Sequence, residues 1–355
     1  MKTIRNIHIM LLSLATVLCA CERTLDFKGP EDEAKTDLTL NAAAIAGSPL
    51  TAYLSRAYTK GKAPSIQYYD YEHALFFKDD LTTDYLTDDY LAKTTVRDAE
   101  VTAEVNGQES YPMAYDGMAF CYTCSYVPVE GDRIVLRAKA DGREVSAEAA
   151  VPAMPRIEVL GYEVLPENPY QNMGGLVNQS DTIMRLTCRI TDDGGENYYR
   201  LRVRSERKGT NLLGQMQFYI MQDIFFSDDD LFLDEHLTSN FGGWPAYFSN
   251  IFDNSRIEGA NRTFVIDSPK ASSGAGYMDS SKAHWGELPD LQPRVMVELQ
   301  AISYDLYRYL KSVQLYRMSQ DDRDAEPTLI YSNVDGGWGI FGALSYDRHF
   351  VEYGE

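Results

Sequence analysis

Clustered carboxylates come nearest to a reaction site or a metal site in this sequence. Residues 227–235 read Ser-Asp-Asp-Asp-Leu-Phe-Leu-Asp-Glu, and oxygen-rich clusters can hold Ca²⁺. The segment lacks the alternating Asp, the central Gly and the later Glu of an EF-hand loop, so the sequence favours a solvated loop. We predict no metal and no cofactor, and calcium binding at Asp228–Asp230 is the alternative.

Acid–base catalysis is a second chemistry that these carboxylates could support. A pair such as Asp229 and Glu235 has the residue types that glycoside hydrolysis uses. The chain holds 53 Asp and Glu residues, so pairs of this kind arise by chance. The sequence contains neither a GxSxG nor an HExxH motif. We therefore predict that the protein has no catalytic residues and is not an enzyme.

A cysteine pair, Cys121-Tyr-Thr-Cys124, is the third candidate. A zinc site needs a second pair of ligands, and the five histidines show no paired spacing. Residues 119–127 have the pattern of a strand, whereas a thioredoxin-like motif opens a helix. Strand residues three apart face opposite sides. We predict one core and one surface cysteine, and a disulfide between them or to Cys188 is the alternative.

The N-terminus predicts a covalent modification. Basic residues in Met1–Arg5 precede an apolar run, Ile9–Leu18, that is shorter than the ~20 residues of a membrane-spanning helix. This order predicts a secretory signal peptide over residues 1–20. The ending Leu18-Cys19-Ala20-Cys21 resembles a bacterial lipoprotein signal, in which Cys21 is acylated and becomes the first mature residue. An ordinary signal peptide with a chance cysteine is the alternative.

Acylation of Cys21 would decide where the protein is found. One acyl chain binds a membrane only marginally, at about 0.8 kcal/mol per buried CH₂, whereas two or more chains anchor a protein stably. We therefore predict a membrane-anchored lipoprotein with palmitate-type acylation at Cys21. The polar residues 21–36 predict a flexible tether between the lipid and the folded body.

The charge of the chain excludes one class of partner. The net charge is −20, and removal of the two basic residues within 1–20 makes it −22. A chain this acidic is repelled by phosphate, so we predict no nucleic-acid binding and no polybasic attachment to membranes. The charge itself favours solubility, and a bound cation or a basic partner is the alternative.

Alternating apolar and polar residues predict a mainly β protein, and turn residues and prolines mark where its strands end. Residues 134–151 alternate on both sides of Asp141-Gly142, the strongest short-range signal for a hairpin. Two prolines then interrupt the alternation, so we predict an N-terminal domain at 37–152 and a C-terminal domain at 155–355. The Tyr- and Asp-rich residues 62–95 predict an insertion in the first domain.

The second domain shows a similar pattern. Residues 184–190 and 199–203 alternate around a turn at 191–196 and predict a second hairpin. Its outward positions carry five arginines, for which we expect partial exposure. The alternative is a basic stripe that meets an acidic surface, of this chain or of a partner. The arginines are Arg185, Arg189, Arg200, Arg202 and Arg204.

A helix and a glycine-rich tail complete the predicted elements. Apolar residues recur at helical spacing over about 303–318, with Ser303 as the N-cap, which predicts an amphipathic helix that packs on a sheet. Residues 329–344 predict a glycine-rich turn between two short strands. No Lys-Ser/Thr follows these glycines, so they do not form a phosphate loop.

Five segments carry a resemblance to a known family. The chain resembles the Bacteroidota surface lipoproteins grouped as domain-of-unknown-function family 4249. The resemblance implies two β-sandwich-like domains, the first of them immunoglobulin-like. It implies no catalytic residues and a location in the outer membrane, on the surface-exposed or the periplasmic face. Members of the family are often encoded near TonB-dependent outer-membrane receptors. The segments are 18–21, the strand ending at Pro152, Phe226–Phe232, Ser303–Tyr309 and Ile330–Ala343.

Two functions follow as hypotheses. The first is a non-enzymatic outer-membrane lipoprotein that binds a partner, such as a TonB-dependent receptor, through its sandwich surfaces. The alternative is a surface module that binds a glycan or a peptide through Trp244, Trp285 or Trp338 and nearby carboxylates.

Overall fold

The computed structural model describes most of the predicted body. The described residues are 38–56, 94–167, 169, 183–210, 217–223, 225–237, 247–257, 259–269, 294–321 and 328–352. Cys21, the tether at 21–36, Trp244, Trp285 and nearly all of the predicted insertion at 62–95 lie outside them. Within the described residues, no helix has the length and apolar character that crossing a bilayer requires.

The described chain is mainly β, as predicted, with one long helix among its described elements. Helix α1 spans Tyr304–Asp321. Two 3-10 turns lie at Asp230–Phe232 and Asn254–Arg256. The strands are β1 Leu38–Ile45, β2 Thr51–Arg56, β3 Glu100–Val105, β4 Glu109–Asp116, β5 Cys121–Thr123, β6 Arg133–Ala140, β7 Arg143–Ala150, β8 Arg156–Leu165, β9 Ile183–Thr191, β10 Tyr198–Thr210, β11 Gln217–Asp223, β12 Ile251–Asp253, β13 Asn261–Pro269, β14 Arg294–Ile302 and β15 Trp338–Glu352.

Two sheets contain these strands. A twelve-stranded sheet has the order β11-β10-β14-β15-β1-β2-β5-β4-β3-β6-β7, with β12 paired to β10, and a three-stranded sheet has the order β13-β9-β8. The prolines at 152 and 155 lie between β7 and β8, outside any strand. The last strand nevertheless returns to the first, because β15 pairs in parallel with β1 and antiparallel with β14. Residues from the end of the chain therefore complete the sheet that its first strands begin.

Three apolar cores stabilise this arrangement. The first core joins β1, β2, β3, β6 and β7, and it includes Phe341 from β15. The second core fills the space between the three-stranded sheet and β10, β14 and the 225–257 segment. The third core lies under α1, where Leu306 and Leu310 pack on Ile340 and Leu344. This burial of alternate strand residues is the β-sandwich-like packing that the alternating sequence predicts.

The hairpin predicted at Asp141-Gly142 is confirmed. Strands β6 and β7 pair antiparallel from Arg133↔Ala150 to Ala140↔Arg143. Asp141 and Gly142 both have positive φ, at 52° and 72°, as a type I′ turn requires. The turn residues alone fix the register of this pair, so a local sequence signal was sufficient.

The second predicted hairpin is wrong, although both of its strands exist. β9 pairs with β13 and β8, whereas β10 pairs with β14, so the two strands belong to different sheets. Residues 192–197 form an arch across the second core. Alternation predicts each strand but not its partner, because an arch and a hairpin have the same polar periodicity.

Asp192 holds this arch in place. Its buried carboxylate accepts hydrogen bonds from the Gly194 N–H at 2.8 Å, the Tyr199 hydroxyl at 2.7 Å and the Asn254 amide at 3.1 Å. Burial by itself would raise the pKa of Asp192, but these donors and Asn197 outweigh it, and the pKa is lowered. The charged form is therefore the form that the fold stabilises.

We expect Asp192→Asn to make the free energy of unfolding less sensitive to acidic pH. A lowered folded-state pKa means that the stabilisation is fully present above the ordinary Asp pKa of about 3.9 and is lost as the pH falls through the folded-state value. At pH 7 the variant should lose about 1–3 kcal/mol in the free energy of unfolding, and the difference should shrink in acid. Urea unfolding at several pH values measures this. Asp193→Asn, at the exposed neighbouring position, is the matched control, and equal curves for both variants would contradict the role of Asp192.

The glycine-rich tail differs from its prediction. Residues 328–334 are not a strand. The strand β15 begins after Gly336-Gly337, contains Gly339 and Gly342, and is long rather than short. Gly339 lies in register with Leu40 of β1, and a Cβ added there would stand 2.1 Å from the Leu40 carbonyl oxygen. At Gly342 it would stand 2.9 Å from the Leu306 Cβ of α1. Gly339 therefore allows β15 to lie directly against β1, and Gly342 allows it to lie directly against α1.

Candidate functional site

One face of the large sheet carries a group of aligned polar residues. This face is the one opposite the second core, and β10, β14 and β15 align on it row by row. The first row is apolar and is partly covered by α1. The next two rows are polar, and the last row combines Arg204 with the apolar Met296 and Phe350. The rows are Tyr198–Ile302–Leu344, Arg200–Gln300–Tyr346, Arg202–Glu298–Arg348 and Arg204–Met296–Phe350.

The five arginines divide into two groups. Arg185 and Arg189, on the three-stranded sheet, are partly exposed as predicted, and they pair with Asp267 at 2.7 Å and Glu158 at 2.6 Å. The prediction of partial exposure is wrong for the three arginines of β10, which are at most 5% exposed. Their alternation identifies the face of β10 that they occupy, but it does not show that this face is buried. These three are Arg200, Arg202 and Arg204.

Glu298 supplies an acidic partner for this group from the chain itself. Its buried carboxylate lies 3.5 Å from Arg202 Nη1, and it accepts hydrogen bonds from Arg348 Nε and, at 2.7 Å, from the Gln300 amide. Buried charges require partners of this kind, because an isolated one is expensive to desolvate. The basic stripe therefore meets an acidic residue of its own chain. These paired side chains have a structural role.

Helix α1 begins as predicted and leads to a more exposed group of side chains. The Ser303 hydroxyl accepts from the Leu306 N–H at 3.4 Å, and Asp305 lies in the first turn. The Ser303 hydroxyl also accepts from the Ala343 N–H at 3.1 Å, so the cap fixes the start of the helix to β15. The helix continues to Asp321, a little past the predicted end at about 318.

Aromatic and cationic side chains collect beside this first turn. The ring centroid of Tyr198 lies 5.1 Å from that of Tyr304 and 4.7 Å from that of Tyr307. The Arg308 guanidinium lies 4.1 Å from the Tyr331 ring centroid and 5.6 Å from that of Tyr304. Tyr304 is 52% exposed. We name these five residues the helix aromatic cluster.

The electrostatics of the helix aromatic cluster keep two of its phenols, Tyr307 and Tyr331, neutral. Burial raises the pKa of Tyr307 to about 12, and burial with a hydrogen bond to Asp305 raises the pKa of Tyr331 to about 12. Both phenols therefore stay neutral near pH 7. The cluster offers ring faces, hydroxyl donors and one guanidinium, and these groups stack on and hydrogen-bond to a partner.

A buried ion pair supports the helix farther along. Lys311 Nζ donates to Asp234 Oδ2 at 2.6 Å and to Ser249 Oγ at 3.0 Å. Burial lowers the pKa of Lys311, and the pair with Asp234 only partly opposes this effect. Ser249 is 2% exposed and also bonds to the Ile251 carbonyl. The Ser–Lys contact is therefore enclosed by the fold, and it connects α1 to the 225–257 segment.

The acidic loop is held by arginines. Arg262 donates to Asp229 at 2.8 Å and also to Asp230, and Arg256 donates to the backbone carbonyls of Asp230 and Leu233. Asp229 also caps the 3-10 turn through the Leu231 N–H. In the described part of the chain, no three His, Cys, Asp or Glu side chains gather as a set of metal ligands. These contacts fix Asp229 and Asp230 in the folded loop, and calcium at Asp228–Asp230 stays the alternative prediction.

The cysteines are packing residues in the described structure. Cys188 lies in the second core as a thiol, and burial raises its pKa to about 12. Cys124 is a half-buried thiol whose pKa burial also raises, and Cys121 is buried on β5. Cys124 lies just beyond the end of β5 and packs partly against the first core, so it is less exposed than the predicted surface cysteine. The alternative of a disulfide among these three is wrong, because two of the three remain thiols.

Sequence reasoning missed the helix aromatic cluster. It selected three tryptophans, of which Trp338 is described and is 57% exposed at the start of β15. Tyr304, Tyr307 and Arg308 share one helix face at spacings of three and four, and that signal was available. Tyr198 comes from β10, which only the fold brings beside the helix.

Comparison with known proteins places the chain in a family. No curated protein matches it. A structure from Corynebacterium diphtheriae described as a membrane anchored protein shares 9% identity at a TM-score of 0.17, over 76% of this chain and 55% of that one. The chain thus spans about half of that protein, and the likeness supports no argument. The model of the family described as Domain of unknown function (DUF4249) matches residues 22–349, and the chain therefore belongs to that family.

Proposed function

We propose that this chain is a Bacteroidota outer-membrane lipoprotein that binds a TonB-dependent receptor through the helix aromatic cluster. Cys21 carries the lipid, residues 1–20 are the signal peptide that is removed, and residues 21–36 connect the anchor to the body. The protein acts by binding and catalyses no reaction. The observation that carries this proposal is the group of Tyr and Arg side chains beside the first turn of α1, in which Tyr304 and Arg308 are exposed.

The composition of the helix aromatic cluster supports a protein partner. Tyr and Arg are enriched among the residues that dominate binding energy at interfaces, because they bring large contact area and directional hydrogen bonds. The neighbouring rings and Arg308 already restrain the half-exposed side chain of Tyr304. Binding therefore orders few additional rotamers, which lowers its entropic cost.

A lipid anchor supports an interaction within the membrane plane. A protein held by two or more acyl chains stays beside its neighbours in the bilayer, so even a modest contact is formed repeatedly at high effective concentration. The acidic charge of the chain keeps it from phosphate surfaces and leaves protein surfaces as the favoured partners.

Tyr304→Ala should weaken recovery of the receptor. Affinity purification of the lipoprotein from detergent extracts should recover a β-barrel receptor with the wild-type protein. The variant should lower that recovery at least about tenfold, because loss of a central aromatic contact typically costs more than 1–2 kcal/mol.

The matched control for Tyr304→Ala is Tyr316→Ala, a substitution of an exposed tyrosine on the same helix outside the cluster. This control should retain the receptor at the wild-type level. Repeated recovery of the lipoprotein alone, or equal losses with both variants, would contradict the proposal.

A glycan- or peptide-binding module is the second candidate, and the exposed indole of Trp338 favours it. Indole faces stack on sugar rings and on peptide side chains. Calorimetric titration with panels of surface polysaccharides, with Trp338→Ala as the comparison, separates this candidate from receptor binding. Flat titrations across the panel would remove it.

A further inference from the structure

Strand β8 lies at the edge of the three-stranded sheet with one side open. Among the described residues it pairs only with β9. Residues 160–164 are all exposed, and the apolar side chains of Leu160, Tyr162 and Val164 are each about half exposed, at 47%, 50% and 51%. Edge strands usually carry Lys or Pro, which discourage further pairing, and β8 carries neither.

The backbone groups that face the open side can be identified. The Ile157 N–H donates to Asp347 Oδ2 at 3.0 Å, so it points away from β9. N–H directions alternate along an antiparallel strand, and an irregularity between Val159 and Gly161 shifts this alternation by one residue. The N–H groups of Tyr162 and Val164, opposite Leu186 and Met184, therefore point to the open side.

The negative charge of this edge favours extended partners that carry positive charge. Residues 157–167 contain three Glu and neither Lys nor Arg. Glu158 pairs with Arg189, and Glu163 is exposed in register with Arg185, which itself pairs with Asp267. A strand laid along β8 would present one face to Tyr162 and Val164 and the other to Glu163. Apolar residues suit the first face, and Lys or Arg suits the second.

We propose that the open edge of β8 binds an extended protein segment in which apolar residues alternate with Lys or Arg, by addition of a strand to the sheet. The main-chain groups of Tyr162 and Val164 supply the hydrogen bonds, and Glu163 supplies the charge preference. This surface differs from the helix aromatic cluster, so the inference stands whether or not a receptor is recovered there.

A peptide titration tests strand addition with the mature chain in soluble form. The probe is a short peptide of alternating Lys and Val with blocked ends, and the control probe replaces Lys with Glu. Wild-type protein should bind the Lys peptide at least about tenfold more tightly than the Glu peptide. Val164→Pro should weaken the Lys peptide at least about tenfold, because it removes an outward N–H while leaving the bonds to β9. Val164→Thr keeps the N–H and should stay within about threefold of wild type.

Hydrogen exchange on the wild-type protein tests strand addition even if Val164→Pro fails to fold. The Lys peptide should slow exchange at the amides of Tyr162 and Val164 and leave those of Gly161 and Glu163 unchanged, since the latter two already bond to β9. The proposal is overturned if wild-type protein does not bind the Lys peptide, if a folded Val164→Pro variant binds it equally, or if binding leaves the two outward amides unprotected.

Discussion

Gly339→Ala should lower the free energy of unfolding by about 4 kcal/mol or more, at the upper end of single substitutions. The φ of Gly339 is +117°, which side chains rarely adopt. A Cβ would also stand 2.1 Å from the Leu40 carbonyl oxygen and 2.8 Å from Asn41 Oδ1. The carbonyl belongs to the backbone of the paired strand, so it cannot move aside without breaking the parallel β1–β15 ladder.

Urea unfolding followed by circular dichroism measures the effect of Gly339→Ala. Gly161→Ala is the matched control, because nothing lies within 4 Å of the added methyl group and no positive φ is involved. The control should change stability by about 0.5 kcal/mol or less. Equal midpoints for the two variants would show that close contact between β15 and β1 is unimportant.

Cys21→Ser should release the protein from membranes almost completely. The thioether at Cys21 is the proposed attachment point, and a serine hydroxyl cannot replace the thiol in that bond. Loss of two or more acyl chains removes many buried CH₂ groups at about 0.8 kcal/mol each, which is far more than a surface contact can replace. Cell fractionation measures how much of the protein stays with the membrane, and metabolic palmitate labelling measures its acylation.

Cys124→Ser is the matched control for the anchor, because it alters a half-buried thiol within the folded body. This variant should stay in the membrane fraction and keep its label. Mass spectrometry that finds an unmodified N-terminus on the wild-type protein, or a wild-type product without label, would contradict acylation of Cys21.

Local signals in the sequence were reliable where neighbouring residues alone decide the structure. Asp141-Gly142 specifies its turn, and Ser303 specifies the start of α1, because both act on backbone groups within a few residues. Strand alternation gave β9 and β10 but not their partners, since pairing depends on residues far along the chain. Asp192 selects the arch only once Asn254 is brought beside it.

Burial and the candidate site depended on the fold for the same reason. Arg202 has the spacing of an exposed residue, but it is buried beside Glu298, which β14 brings to it from far along the chain. Gly339 and Gly342 serve the close approach of β1 and α1, and their spacing in the sequence identifies neither partner. Tyr304 was visible as a helix residue, and its pairing with Tyr198 needed the sheet.

Site-specific photo-cross-linking in intact cells tests the central claim most directly. A photoreactive amino acid at position 304 should form an adduct with a TonB-dependent receptor, identified by mass spectrometry, and the same group at position 316 should not. An adduct at neither position, or adducts of equal yield at both, would contradict binding of a receptor through the helix aromatic cluster.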